Sequence, residues 1–249
     1  MPAGRAEGVF TPSHPIFTPE HVALRATIRR FVDTEIRPYV DEWERDGLPD
    51  ALFRRCGELG FFGLHYPVEV GGSGGDLAAG IVFVEELARC GAAAVAMALS
   101  VQSHMATPAL ATFGTPEQVD RWLRPALAGE RIAAIAITEP DAGSDVAAIR
   151  TRATRLSGPD GDGWRVRGSK MFITNGARAD FLTLVARVDS DPDAPDSGHQ
   201  DISLFALDTS LPGVHVSRTL EKLGMHASDT ALIALDDVVL PAAALIGME

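Results

Sequence analysis

The sequence predicts an α+β protein, with an N-terminal α-helical domain followed by a β-barrel or sandwich-like middle domain. Three observations carry that expectation. Apolar residues recur at helical spacing up to about residue 128, the signature of amphipathic helices. Beyond Gly129 the period falls to that of strands. The alternating runs are short and evenly separated by Gly, Pro and Asp turns, which favours a layered or closed sheet. Helices first and strands second argue for two packed domains, here 18–129 and 130–241, with 1–17 a flexible arm and 242–249 the start of a linker.

The arm carries three prolines and no period. Thr18 then Pro19 reads as a cap and a first-turn proline. Leu24, Ile28, Phe31, Ile36, Tyr39 and Trp43 keep helical spacing to Gly47, with Pro38 bending or splitting the helix. A short second helix runs from Pro49 to Leu59 and ends at Gly60. Residues 67–75 hold Gly71, Gly72, Gly74 and Gly75 but lack the Lys-Ser/Thr ending of a phosphate loop, so they read as a connector. Asp76 caps a third helix with Leu77, Ile81, Val84 and Leu87 on one face. On it Glu85 and Glu86 read as a solvated edge. Residues 92–113 form a fourth helix, nearly all apolar, which is buried or lines a pocket. His104 within it reads as a core histidine. Thr115-Pro116-Glu117-Gln118 is a capping box that opens a fifth helix, running to about Ala128.

The strand half opens with Ile132 to Ile137, a short apolar run suited to a buried strand. It stops at Thr138-Glu139-Pro140. Gly143, which tolerates unusual backbone angles, and Ser144 follow. A strand that runs into a turn with free main-chain N–H groups makes an anion cradle, so this turn suits a phosphate or a flavin edge. An ordinary strand-turn is the alternative. Further strands are expected at 149–154, 164–168, 170–174, 181–188, 202–207, 214–220 and 232–240. Between Asp189 and Asp201 there are five Asp and no Lys or Arg, the composition of a solvated loop.

Composition removes several functions. The 22 basic and 34 acidic residues leave a net charge of −12, against nonspecific nucleic-acid binding. The two cysteines, Cys56 and Cys90, do not form a disulfide framework, and a cytoplasmic location is expected. Cys56 is not expected to be a catalytic thiol. No His/Cys cluster has metal-ligand spacing, the N-terminus lacks a signal pattern, and no apolar run approaches the roughly 18 residues of a membrane span.

Three stretches stand in order in the strand half. The first is Thr138-Glu139-Pro140-Asp141-Ala142-Gly143-Ser144-Asp145. The second is Gly168-Ser169-Lys170-Met171-Phe172-Ile173-Thr174-Asn175-Gly176. The third is Lys222-Leu223-Gly224-Met225-His226-Ala227-Ser228-Asp229-Thr230, running into Asp236-Asp237-Val238-Val239-Leu240-Pro241. Together, and with the helical first half, they closely resemble the acyl-CoA dehydrogenases over nearly all of the chain from Thr18 onward. The resemblance implies a helical domain, a β-domain and a C-terminal four-helix bundle, the last lacking from this chain. It implies bound FAD and α,β-dehydrogenation of an acyl-CoA thioester to the trans-2-enoyl-CoA, as in fatty-acid β-oxidation. It also implies an electron-transfer flavoprotein as electron acceptor and a homodimer or homotetramer.

Mapped by position, the resemblance puts the main chain of Ile135, Ile137 and Thr138 at the flavin's pyrimidine edge. Gly143 and Ser144 hold the cofactor pyrophosphate, and Ser144 also lies beside the thioester. Phe172, Ile173 and Thr174 match an aromatic-Ile-Thr triplet in which the aromatic covers one ring face and the Thr174 hydroxyl meets the reactive flavin nitrogen. Phe172 stands where many relatives have Trp, and His226 where many have Arg. Leu99, Gln102 and Ser103 are candidate walls for the acyl chain, with simple core packing as the alternative. The family's catalytic base is a Glu of the C-terminal domain, expected beyond Glu249. Glu139 faces structure and is not its substitute. The 249 residues alone are therefore expected to bind FAD weakly and to turn over poorly. Two other readings stand beside this one: an inactive partner subunit or acyl-CoA-binding module, and a flavin-dependent oxidase or monooxygenase on the same fold.

Overall fold

The structure, a computed structural model, describes residues 14–157, 162–189 and 201–247. The acidic stretch 190–200 and most of the N-terminal arm lie outside them.

The first predicted helix exists but is not uniform. Helix α1 (Pro19–Phe31) passes into a π-helical stretch at Val32–Ile36 and a 3-10 turn at Arg37–Tyr39. Helix α2 (Val40–Asp46) follows and stops at Gly47, φ +91°. Pro38 lacks an N–H and its ring crowds the turn before it, so the ladder widens upstream instead of running through. Helix α3 (Asp50–Glu58) ends before Gly60. The glycine-rich connector is tightly packed. Ser73, Gly74 and Gly75 N–H groups donate to the carbonyls of Gly63, Tyr66 and Leu64, so these donors are not open to an anion.

Helix α4 (Leu77–Ala88) is capped by Asp76, which accepts from Ala79 N–H at 3.0 Å and from His21 Nε2 at 2.9 Å. Its buried face differs from the predicted one. Leu77 and Ile81 are exposed, whereas Ala79, Val82, Phe83, Glu86 and Leu87 are buried. In a helix this apolar, periodicity alone does not choose the face. Glu86 decides it: Arg29 grips the Glu86 carboxylate with two bonds of 2.8 Å, and Arg25 adds a third at 2.8 Å. The reading of Glu85 and Glu86 as a solvated edge holds for Glu85 and fails for Glu86, because two arginines of α1 reach across to it.

The predicted fourth helix is broken. Helix α5 (Ala93–Ser100) continues as a π-helical stretch, Val101–Ala106, and helix α6 (Pro108–Phe113) starts afresh. Pro108 supplies no donor, and the Thr107 hydroxyl turns back to the Gln102 carbonyl at 2.8 Å. His104 stacks on His65 with ring centroids 4.6 Å apart. His104 Nδ1 meets Ser103 Oγ at 2.6 Å, while His104 Nε2 and His65 Nδ1 are buried without a partner among the described residues. Burial, reinforced by the neighbouring ring, pushes His104 down to about 4. The unfolded ring takes its proton near about pH 6.5, so in that interval the unfolded chain binds more protons than the folded one. Stability must then fall as pH drops from about 6.5 toward 4. Replacing His104 with leucine is expected to remove about 2 kcal/mol of that loss, read as a flatter dependence of the urea midpoint on pH.

The fifth predicted helix is α7 (Pro116–Gln118), a π-helical stretch at Val119–Leu123, and α8 (Arg124–Leu127). Its capping box forms: Thr115 N–H donates to Gln118 Oε1 at 3.0 Å and Gln118 N–H to Thr115 Oγ1 at 3.3 Å. Gln118 Nε2 also donates to Ala243 O at 2.8 Å and Leu245 O at 2.6 Å, which ties the helical half to the end of the strand half.

The strands are β1 (Ala133–Ala136), β2 (Arg152–Leu156), β3 (Gly163–Thr174), β4 (Phe181–Asp189), β5 (Ile202–Asp208), β6 (Val214–Thr219), β7 (Thr230–Pro241) and β8 (Leu245–Ile246). They form one mostly antiparallel sheet in the order β6-β7-β3-β2-β4-β5-β8, with β1 on β4. Trp164 of β3 meets Phe205 of β5 edge to face at 5.3 Å, although two strands separate them in the sheet. The sheet therefore folds over a shared core, in keeping with the sandwich-like expectation. Helices and sheet meet along a seam: Ile132, Ala133, Phe181 and Ala206 join the same buried cluster as Ile28, Phe83 and Leu99. Cys56 and Cys90 are free and buried, and burial pushes the Cys56 thiol far up, which removes it as a nucleophile. No helix among the described residues is long and apolar enough to cross a membrane.

Candidate functional site

The site grows out of one topological feature. β1 and β2 both lie parallel along β4, one after the other: β1 opposite Phe181–Leu184, β2 opposite Arg187–Asp189. β3 pairs with β2 over Gly163–Arg167 and then leaves it. From there β3 runs past the end of β1 without forming a ladder with it.

β1 therefore has one partnered edge and one open edge. Ala133 N–H, on the open side, donates to Gln102 Oε1 at 2.7 Å. Main-chain groups two residues apart share an edge, so those of Ile135 face the same side. Beyond the strand end at Ala136, the Ile137 carbonyl accepts from Lys170 Nζ at 2.9 Å.

The turn after β1 closes on itself. Glu139 and Ala142 exchange main-chain bonds of 2.8 and 3.3 Å. Glu139 is buried, and its carboxylate accepts from Arg150 N–H at 2.6 Å, Thr151 N–H at 2.9 Å and Lys170 Nζ at 2.7 Å. Burial raises Glu139, but Lys170, Thr151 and these amides outweigh it and hold the carboxyl below its usual range. Glu139 faces structure, as expected.

Gly143 and Ser144 stand exposed at the tip of the turn. Their N–H groups and the Ser144 hydroxyl have no partner among the described residues. Gly143 does not use the backbone freedom a glycine allows, since it is not among the positive-φ glycines. What distinguishes the position is space, because an added Cβ would meet nothing within 4 Å. Unpartnered donors beside open space fit an anion such as a pyrophosphate.

The opposite wall is the end of β3. The pairing with β7 slips between Lys170 and Ile173. Within that slip Phe172 takes φ +61° and stands 59% exposed. A bulky residue in the left-handed region is strained, and such strain gathers at functional sites. Ile173 turns inward, 2% exposed. Thr174 is half-buried, and its hydroxyl has no partner among the described residues. The two walls join at their base, where Met171 N–H donates to Thr138 O at 2.8 Å.

The candidate acyl-chain walls are packed in the core, the alternative left open for them. Leu99, Gln102 and Ser103 are fully buried. Gln102 Nε2 donates to Ala126 O at 2.9 Å and Arg131 O at 2.8 Å, and its oxygen holds Ala133. Gln102 is thus a brace between helix and β1 and offers no free polar atom to a cavity. The open side of α5 carries Ala93, Ala96, Met97 and Ser100 instead. In an all-apolar helix the sequence did not fix the rotational phase. The third motif braces the site from behind. Asn175 N–H donates to Asp229 O at 3.2 Å, and Thr174 lies opposite Thr230. His226 is exposed, its Nε2 2.8 Å from Lys222 O. The cavity of 440 Å³ beside this motif, lined by Arg178, Lys222, His226 and Asp229 among others, is separate from the two walls. The polar side chains at that cavity already have protein partners: Arg178 holds Asp229 at 2.8 Å and Lys222 holds Thr230 at 2.9 Å.

Comparison with known proteins places these features in a family. The sequence matches the descriptions "Acyl-CoA dehydrogenase, N-terminal domain" over residues 18–130 and "Acyl-CoA dehydrogenase, middle domain" over residues 134–238. It is 39% identical over 235 residues to the mitochondrial long-chain specific acyl-CoA dehydrogenase of Rattus norvegicus, covering 94% of this chain and 53% of that protein. Among solved structures, a probable acyl-CoA dehydrogenase from Mycobacterium abscessus aligns with a TM-score of 0.85 at 41% identity, covering 93% of this chain and 59% of that one. A glutaryl-CoA dehydrogenase from Mycobacterium smegmatis, in complex with FADH2, aligns at 0.83 and 32% identity, covering 94% and 57%. The chain spans about half the length of the curated relatives it matches.

Proposed function

This chain belongs to the acyl-CoA dehydrogenase family, and from that membership we propose that it forms the FAD- and acyl-CoA-binding part of an enzyme that converts an acyl-CoA thioester to the trans-2-enoyl-CoA. The observation that carries the reading is the turn at Gly143 and Ser144, with unpartnered donors beside open space, tied through the Met171–Thr138 bond to a strand end whose aromatic is exposed at φ +61°. Bound FAD supplies the acceptor for the hydride that leaves the β-carbon.

The chain's own residues bind and orient. The edge of Ile135, Ile137 and Thr138 meets the polar rim of the cofactor ring. Ile173 packs beneath, Phe172 shields one ring face, and the Thr174 hydroxyl donates to the ring's reactive edge. Gly143 and Ser144 hold the pyrophosphate, and Ser144 also borders the thioester. The open side of α5, Ala96, Met97 and Ser100, is a better candidate than Leu99, Gln102 and Ser103 for the acyl-chain wall. The proton-abstracting carboxylate is not Glu139, whose oxygens are engaged. We assign it to a Glu from the part of the relatives that this chain does not span. An electron-transfer flavoprotein as acceptor, a homodimer or homotetramer, and a cytoplasmic location belong to the same proposal.

The test is titration of the chain with FAD, followed by flavin fluorescence quenching. Thr174→Val and Ser144→Ala are each expected to weaken binding about fivefold, the worth of one hydrogen bond of about 1 kcal/mol, with unchanged melting. Failure of the parent chain to bind FAD while it still binds an acyl-CoA would favour a second reading, an acyl-CoA-binding partner subunit.

A further inference from the structure

Lys170 is completely buried. It lies on β3 between two breaks in the pairing with β7, one at Val166/Gly168 and one at Lys170/Ile173. Its ammonium donates to Glu139 Oε1 at 2.7 Å and to the Ile137 carbonyl at 2.9 Å. Glu139 in turn holds the amides of Arg150 and Thr151, at the entry to β2. One ion pair thus joins three main-chain segments, the exit of β1, the entry of β2 and the middle of β3, at the place where no ladder joins β1 to β3.

Stability alone does not account for this pair. Removing two charges from water costs several kcal/mol per ion, and well-packed apolar residues of similar volume commonly serve as well or better. An apolar pair could not, however, orient a peptide group. The peptide plane is rigid and trans, so the carbonyl of Ile137 and the N–H of Thr138 point in opposite directions. A cation that grips the Ile137 carbonyl therefore aims the Thr138 N–H away from itself. Met171, next along β3, holds the Thr138 carbonyl at 2.8 Å. Both ends of Thr138 are then referenced to β3, the strand that carries Phe172 and Thr174. The two walls cannot shift against each other without breaking this junction.

We infer that Lys170, held in place by Glu139, is a positioning residue that fixes the Ile137–Thr138 peptide relative to Thr174 and so sets the width and orientation of the flavin slot. This rests on the FAD reading above. Burial pushes the Lys170 ammonium below its usual range and Glu139 offsets only part of that, while the geometry of the pair holds the clamp, so it depends on both members.

The experiment compares the full chain with Lys170→Met and with the double variant Lys170→Met/Glu139→Gln. The double variant leaves no unpaired buried charge and is the one expected to fold. Each is checked by thermal melting and near-UV circular dichroism, then titrated with FAD, and the absorption band of the bound flavin is recorded. The expected result is a dissociation constant raised at least tenfold in the folded double variant, together with a shift of the flavin band, which a purely structural role would not produce. If the parent chain binds FAD and the folded double variant binds with the same constant and the same spectrum, the inference is wrong. If the parent chain does not bind FAD, the functional reading falls first.

Discussion

Gly168→Ala is expected to cost the protein about 3 kcal/mol or more and to abolish measurable FAD binding. A Cβ at residue 168 would lie 2.4 Å from Thr151 Oγ1, 2.7 Å from Thr151 Cα and 2.8 Å from Thr151 Cβ. The hydroxyl could rotate away, but the Cα could not. Thr151 is held at both ends, its N–H on Glu139 at 2.9 Å and its carbonyl on Arg187 N–H at 2.8 Å. Overpacking of a tight core typically costs about 1–3 kcal/mol, and here the obstacle is main chain. Gly168 itself sits at φ +154°, toward the edge of what a side chain tolerates. The functional consequence follows from topology. Gly168 is where β3 parts from β2 and heads for the slot, so forcing the strands apart there swings Phe172 and Thr174 away from the turn. Gly143→Ala is the matched control. Its Cβ enters open space, so stability should stay within about 0.5 kcal/mol, while FAD affinity falls if a pyrophosphate occupies that space. A Gly168→Ala protein with an unchanged urea midpoint would show that the β2–β3 junction yields more easily than its hydrogen bonds imply.

The contrast between these glycines shows what sequence could and could not deliver. The change of period after Gly129, the caps at Asp76 and Thr115, and the strands near 164–174 and 181–188 are encoded locally, and they appear in the structure where expected. Three local rules were overridden by distant partners. Glu86 read as solvated because its two arginines lie some sixty residues away on α1. The buried faces of α4 and α5 could not be phased, because helices with so few polar residues offer no contrast around the barrel of the helix. Lys170 was invisible as a buried cation, because its partner Glu139 is in the turn after β1 and no spacing rule links them. At the site, the sequence motif brought attention to Gly143 for its backbone freedom, whereas the structure gives it an ordinary backbone and an empty surrounding. The left-handed backbone is instead at Phe172 and Asn175, at φ +61° and +63°; asparagine is a type that tolerates it, whereas phenylalanine does not announce it.

Asn175→Ala is the second substitution with a large expected effect, about 3 kcal/mol lost and a clear fall in FAD affinity. Asn175 is completely buried directly after Thr174, and its side-chain amide donates to the Ala98 carbonyl of α5 at 2.9 Å. This bond joins the end of β3 to the helical half. Alanine would leave that link unmade, a loss of about 1–3 kcal/mol for a buried polar contact. It would also have to hold a left-handed backbone that asparagine tolerates far better, at about 1–2 kcal/mol. The two terms can be separated. Asn175→Gly relieves the backbone and keeps only the lost bond, so it should recover about 1 kcal/mol relative to Asn175→Ala. Asn175→Asp keeps size and backbone preference but turns a carboxylate toward the Ala98 carbonyl, and it should be at least as damaging as alanine at neutral pH. If protonation of the new acid restores a donor, its deficit should shrink as pH falls through the carboxylate range, opposite in sign to the acid loss expected from His104. Urea midpoints for the three variants across that range, read beside FAD titrations, test whether one buried amide holds the helical half in register with the residue that follows Ile173.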